Sequence, residues 1–332
     1  MPRTSRLLTA ALAVLVAAGA MPGCRGPAAN VWTPETGTVV LDEMPRGTPA
    51  ERRLYATALI GAGKWRKGVA ELRRQIAADP DAEWVPGARL VIARGLSNGG
   101  RHKKAFRELA GPAAQERDAT LRARMIDQQF ATARAMARED ARGACRLLNG
   151  MMDTARDDEE KARVLKEKGE VMFAAGHYLD ADDLYLAVIE GYPRTTWVTY
   201  CKGRRAECHW RLACWLNIGG EMIETAVGSL DAFVRAYPDE QMTERIRRER
   251  DEARAALAEN WRSIARFYAD RRGRPWAAAE YLVLIESQFP DTRIGAWAHR
   301  EMLKIEQSSR SPLVGTVRQV ELPGFSAGDT NP

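Results

Sequence analysis

WRSIARFYADRRGRPWAAAEYLVLIESQFPD, residues 261–291, decides the fold. Trp261, Ile264, Ala265 and Tyr268 recur at spacings of three and four, the period of one helix face. Gly273 and Pro275 interrupt that helix. Ala278 and Leu282, four apart, belong to a second helix. Phe289-Pro290 ends it, because the residue before a proline avoids the α region. The stretch therefore reads as two short helices joined by a turn. The same signature occurs three more times, as a small residue with a proline twelve positions later: Gly68/Pro80, Ala181/Pro193 and Ala226/Pro238. Leu72, Tyr185 and Leu230 repeat the role of Leu282, four residues after the small one. Upstream, Trp210 with Ala213-Cys214, and Leu165 with Gly169, repeat the role of Trp261 with Ala265.

A bulky residue, a small one four later, a small one in the next helix and then proline resembles the tetratricopeptide repeat of about 34 residues. The logic is packing: small residues let two antiparallel helices approach, and large ones fill the groove between neighbouring pairs. The expected fold is all-α, a right-handed α-solenoid of five to six such pairs. Gly68, Gly169, Ala181, Tyr185, Pro193, Trp210, Ala226, Leu230, Pro238, Trp261, Ala265, Tyr268, Ala278 and Pro290 set its packing and its stops. Two weaker pairs are read at Leu90–Leu109 and Met125–Met152. Thr243 to Leu257, charged and without breakers, predicts a long first helix for the last pair. From Tyr268 to Ala278 the last repeat is one residue longer than the pattern, and the extra residue is placed in the turn Arg272-Gly273-Arg274-Pro275.

The N-terminus reads as an address. Arg3 and Arg6 precede an apolar run from Leu7 to Ala20, the length of a signal-peptide core and too short for an ordinary membrane span. Two exits fit. Ala18-Gly19-Ala20 suits cleavage for plain secretion, giving a soluble periplasmic protein. Met21-Pro22-Gly23-Cys24 resembles a bacterial lipobox, and its cysteine, followed by the linker-like Arg25-Gly26-Pro27, favours lipidation at Cys24. The domain plan is then a signal peptide (1–23), a lipid-anchored flexible linker (24–49), divergent repeats (50–160), clearer repeats (161–305) and a mobile tail (306–332). The chain has 332 residues, and 50 basic against 44 acidic side chains give a net charge of +6, about +4 once Arg3 and Arg6 leave. So small an excess in so mixed a population is no argument for nucleic acid as a partner. Cys145, Cys201, Cys208 and Cys214 read as small buried residues in helices. No paired CxxC and only four histidines argue against a metal.

Ala256-Leu257-Ala258-Glu259, Ile264 to Tyr268, Ala277 to Tyr281 and Phe289-Pro290-Asp291-Thr292 together resemble the C-terminal portion of BamD-like lipoproteins. Ala226 to Asp239 and His177 to Pro193 extend the likeness over about residues 160–303. Residues 50–160 show only generic repeat character. The resemblance implies an outer-membrane lipoprotein, anchored on the periplasmic face through palmitate and other acyl chains. It would act as a scaffold that binds a BamA-type (Omp85) β-barrel insertase and unfolded barrel precursors. A scaffold for other envelope proteins, of the peptidoglycan or secretion machinery, is the alternative.

In such arrays the residue after the bulky position of each first helix faces the groove. These residues are Arg53, Lys166, Arg211 and Arg262, with Trp215 and Arg266 one turn further on. All four are basic, which suggests a positive groove for an extended peptide or its C-terminal carboxylate; solvated charge on an exposed face is the competing reading. The acidic run Asp157-Asp158-Glu159-Glu160 reads as a helix start, and Asp180, Asp182 and Asp183 as an outer helix face. No Ser/His/Asp set, phosphate loop or isolated carboxylate pair stands out, so no enzyme and no cofactor are expected.

Overall fold

The computed structural model describes residues 30–33, 37–41, 44–216 and 219–310. The expected signal peptide with Cys24, and the tail beyond Arg310, lie outside the described residues. Inside the expected linker two short strands, β1 (Asn30–Thr33) and β2 (Gly37–Val40), pair antiparallel with Asn30 opposite Val40. Leu41 follows them and is buried against Ala58 and Leu59 of the first helix. The linker's C-terminal part is therefore attached to the array through an apolar contact.

Twelve helices follow among the described residues: α1 (Pro49–Gly61), α2 (Trp65–Ala78), α3 (Val85–Asn98), α4 (His102–Gln115), α5 (Ala119–Met152), α6 (Asp158–Ala174), α7 (Tyr178–Gly191), α8 (Trp197–Leu216), α9 (Gly219–Ala236), α10 (Thr243–Arg266), α11 (Pro275–Gln288) and α12 (Arg293–Arg310). Helix α5 is two helices across a kink at Asp140, whose φ of −146° and ψ of 79° are not helical. The Asp140 carboxylate accepts from Gly143 N at 2.6 Å, capping the second half. The chain is thus an α-solenoid of six helix pairs, followed by α12. The sequence pattern did not single out α12, because no proline or small-residue signature marks it.

The described residues form two compact units divided within α9 and α10: those up to 216 with 225–249, and 219–224 with 250–310. In the first unit each helix from α1 to α8 packs on its sequence neighbour, and first helices also meet first helices, α1 on α3, α3 on α5 and α6 on α8. Its core runs from Ile60, Leu72 and Ile92 to Phe130, Leu148, Tyr185 and Val188. In the second unit α11 packs on α12, and Trp261 and Phe289 meet edge to face at 6.0 Å.

The small positions are close approaches. A Cβ on Gly68 would stand 2.5 Å from the Ala56 carbonyl oxygen, and one on Gly169 would stand 2.6 Å from the Tyr185 ring. Ala181, Ala226, Ala265 and Ala278 are buried, as are Leu230, Trp210 and Trp261. Pro193, Pro238 and Pro290 are exposed. They act as stops: Tyr192 and Phe289, just before two of them, leave the helix at φ −133° and −134°.

The turns within pairs repeat one device. Gly63, Gly100 and Gly176 take φ of 72–79°, and the next residue donates its N–H to a carbonyl five residues back: Lys64 to Leu59, Arg101 to Leu96, His177 to Met172. This is the Schellman closure, which needs a left-handed residue that glycine adopts without strain. Gly273 continues the series at φ 59°, but Arg274 reaches back six residues, to Tyr268. The additional residue is taken up by a π-helical turn, Phe267–Arg271, in which Arg272 N bonds Phe267 O. The insertion expected in the Arg272–Pro275 turn is accommodated one turn earlier, because widening a helix by one residue leaves the glycine closure in register.

Candidate functional site: a cationic groove on the first helices

The six groove candidates occupy different environments. Lys166 is nearly buried. Its ammonium lies 2.9 Å from Glu167 and 4.9 Å from the ring centres of Trp197 and Tyr200. Arg211 pairs with Glu249 at 2.6 Å. In the second unit Arg262 pairs with Glu259 at 2.5 Å, and both Arg262 and Arg266 lie over Trp297. Trp215 is 73% exposed. Arg53 stacks over Trp84 at 4.5 Å and has no ion pair among the described residues. The sequence pattern did not show that three of these charges are compensated: Glu167 and Glu259 lie on the same helix as their partners, and Glu249 lies on the next first helix.

Other ion pairs join neighbouring repeats at the repeat period. Arg122 bonds Glu160, Arg134 bonds Glu167 at 2.6 Å, and Arg204 bonds Glu170 at 2.8 and 3.1 Å, with partners 33 to 38 residues apart. One node is buried around Arg204 and Glu207. Tyr185 and Tyr200 donate to Glu170 Oε1 at 2.7 and 2.9 Å, Arg204 also binds Glu207, and the Arg204 guanidinium lies 3.7 Å from the centre of the Phe173 ring. Arg245 closes on Glu207 Oε1 at 2.6 Å, an ion pair whose angle lies outside hydrogen-bond geometry. Burial raises the Glu170 carboxyl, but the Arg204 charge and three hydrogen bonds outweigh it and hold the group below the ordinary value. This network was not legible in the sequence, where Glu170 and Arg204 look like surface residues of polar helices.

Asp182 also differs from its expected place. It turns from α7 into α8, bonding Arg205 at 2.9 and 3.1 Å, while Asp180 and Asp183 stay exposed. Asp157 caps α6 through Glu160 N at 2.8 Å, with Asp158, Glu159 and Glu160 filling the first turn. Cys145, Cys201 and Cys208 are buried, and burial pushes the last two thiols up to about 12. Cys214, expected inside, is exposed, because it lies on the outward side of the last turn of α8. None of these four thiols forms a disulfide.

Uncompensated positive charge collects at the other end of the first unit. A groove of about 400 Å³ runs across α1, α3 and α5. Its floor is Ile60, Leu72, Leu90 and Leu121, and Trp84 forms one side. Arg53, Arg94 and Arg124 stand around it with Asn98, and no acidic side chain lines it. Arg94 and Arg124 are exposed, and among the described residues neither has an ion pair. An apolar floor with three guanidinium groups suits a short extended segment that carries apolar side chains and an anionic group.

No family model matches the chain, and no curated protein matches it. Among solved structures it is similar to the C-terminal part of a TPR repeat-containing protein from Cytophaga hutchinsonii: 15% identity, TM-score 0.36, covering 78% of this chain and 90% of that one. It is also similar to the apo form of the quorum sensor NprR from B. thuringiensis: 15% identity, TM-score 0.35, covering 79% and 78%. The assignment to an α-solenoid of helix pairs rests on the helices and turns described above.

Proposed function

We propose that this chain is a protein-binding scaffold of the bacterial cell envelope, held at the outer membrane by lipid on Cys24 and serving β-barrel assembly. The observation that carries the binding role is the groove of Arg53, Arg94 and Arg124, cationic at its rim and apolar at its floor. An unfolded barrel precursor offers what such a groove takes: alternating apolar side chains and a terminal carboxylate. The envelope setting is supported by the signal-like N-terminus and by the resemblance of residues 160–303 to BamD-like lipoproteins.

A second reading has its own support. The groove lies within residues 50–160, where that resemblance is poor, which favours clients other than barrel precursors, such as peptidoglycan or secretion proteins. Co-purification from solubilised membranes separates the two. Recovery of a BamA-type insertase supports barrel assembly, and its absence from a pull-down that retains other envelope proteins supports the second reading. In either case Arg94→Glu/Arg124→Glu should weaken client binding at least about tenfold without moving the unfolding midpoint, since each charge-assisted bond contributes about 1.5–3 kcal/mol. Unchanged client binding would remove the groove from the function.

A further inference from the structure

The inserted residue of the last pair leaves a chemical feature that the scaffold role does not use. The π-helical turn and the loop after it read Phe267-Tyr-Ala-Asp-Arg-Arg-Gly-Arg-Pro-Trp276. Phe267 and Trp276 are 44% and 66% exposed. Arg271, Arg272 and Arg274 are exposed, and among the described residues none has a carboxylate partner. Arg272 lies over the Phe267 ring at 5.3 Å, so charge and aromatic surface form one patch. Asp270 is the one acidic residue in the stretch. From Trp276 the apolar surface continues along α11 through exposed Val283 and Leu284, while Ala277, Ala278, Leu282 and Ile285 of the same helix are buried. The open side of α11 thus carries apolar Trp276, Val283 and Leu284 among polar Glu280, Ser287 and Gln288, where a surface helix would ordinarily be polar throughout.

We infer that the turn Phe267–Trp276 docks on an anionic phospholipid surface, with Phe267 and Trp276 at headgroup depth and Arg271, Arg272 and Arg274 against the phosphates. Two independent features favour a bilayer over an acidic protein. Exposed indole and phenyl rings at a turn are the side chains that settle at the membrane–water boundary. The arginines are grouped by charge without the partnered carboxylates that give a protein interface its register. The contact is peripheral: among the described residues no helix is long and apolar enough to cross a membrane. The π-helical turn has a role in this reading, because it begins at exposed Phe267 and ends beside Arg272, which lies over the Phe267 ring. The inference stands apart from lipidation at Cys24 and from the identity of any client.

The test is flotation of the full chain with phosphatidylcholine vesicles, with and without phosphatidylglycerol at about a third of the lipid. The N-terminal apolar run and any acyl chain bind both kinds of vesicle, so the readout is the ratio between them. A basic residue near such a surface contributes on the order of fivefold, so Arg271→Glu/Arg272→Glu/Arg274→Glu should lower that ratio at least tenfold. Arg101→Glu/Arg107→Glu/Arg117→Glu makes the same change in net charge at exposed sites of the other unit and should leave the ratio intact. Phe267→Ala/Trp276→Ala should weaken binding several-fold without changing its salt dependence. The inference is overturned by any of three results: no preference of the unaltered chain for anionic vesicles, no effect of the turn variant, or an equal loss in the control variant.

Discussion

Glu170 is held by two tyrosines and an arginine from α7 and α8, and its carboxylate ties the fourth helix pair to the fifth. Removing one partner of a largely buried pair leaves the other without compensation, at about 3 kcal/mol. Glu170→Gln should lower the urea midpoint accordingly, and an unchanged midpoint would contradict the network. The pH dependence has a defined sign. The folded-state pKa of Glu170 lies below the ordinary glutamate value near 4.5. Its contribution is therefore complete above about pH 4.5 and is lost as the pH falls through the depressed folded value. Glu160, held down by its Arg122 hydrogen bonds, and Asp182 have the same sign. Stability measured between pH 7 and pH 3 should fall less steeply below pH 4.5 in Glu170→Gln than in the unaltered chain.

Within the helices, the same residue type has opposite roles depending on what faces it. Gly68 of α2 has the Ala56 carbonyl oxygen where its Cβ would stand, while Gly228 of α9 has nothing within 4 Å. Gly68→Ala should destabilise by about 1–3 kcal/mol through overpacking against backbone. Gly228→Ala should stabilise by about 0.5–1 kcal/mol through helix propensity. Denaturant titration of the two variants checks both signs, and a stabilising Gly68→Ala would refute the close approach of α1 and α2. Gly68 was legible in the sequence because a proline twelve residues later marked its repeat; the glycine turns supply a further regularity. The kink at Asp140 was legible only as two helical patterns, since a side-chain cap with no proline beside it, and a glycine only at Gly143 after it, does not by itself mark a break.

For the whole molecule, function depends on how charges from different repeats meet. Four basic residues recur at one register, yet acids on the same or the next first helix neutralise three of them. Arg94 and Arg124, which share no register with those four, complete the open groove with Arg53. A register rule identifies which face a side chain occupies, but not which side chain of another repeat lies against it. The proposed anchor is a property of the full chain: palmitate should label the unaltered protein and not Cys24→Ser, and equal labelling of both would place the lipid elsewhere.

By itself, the sequence determined the helix pairs, their stops and their small-residue contacts. These depend on residues within one repeat, where spacings of three and four put side chains on one helix face and the proline twelve positions on ends the helix. The tertiary structure decided the rest: the neutralisation of Arg211, the buried Glu170–Arg204 node, the cationic groove and the outward face of the π-helical turn. Most of these depend on side chains brought together from different repeats or helices. For that turn, backbone geometry decides which way Phe267 faces, and local periodicity carries no information about either.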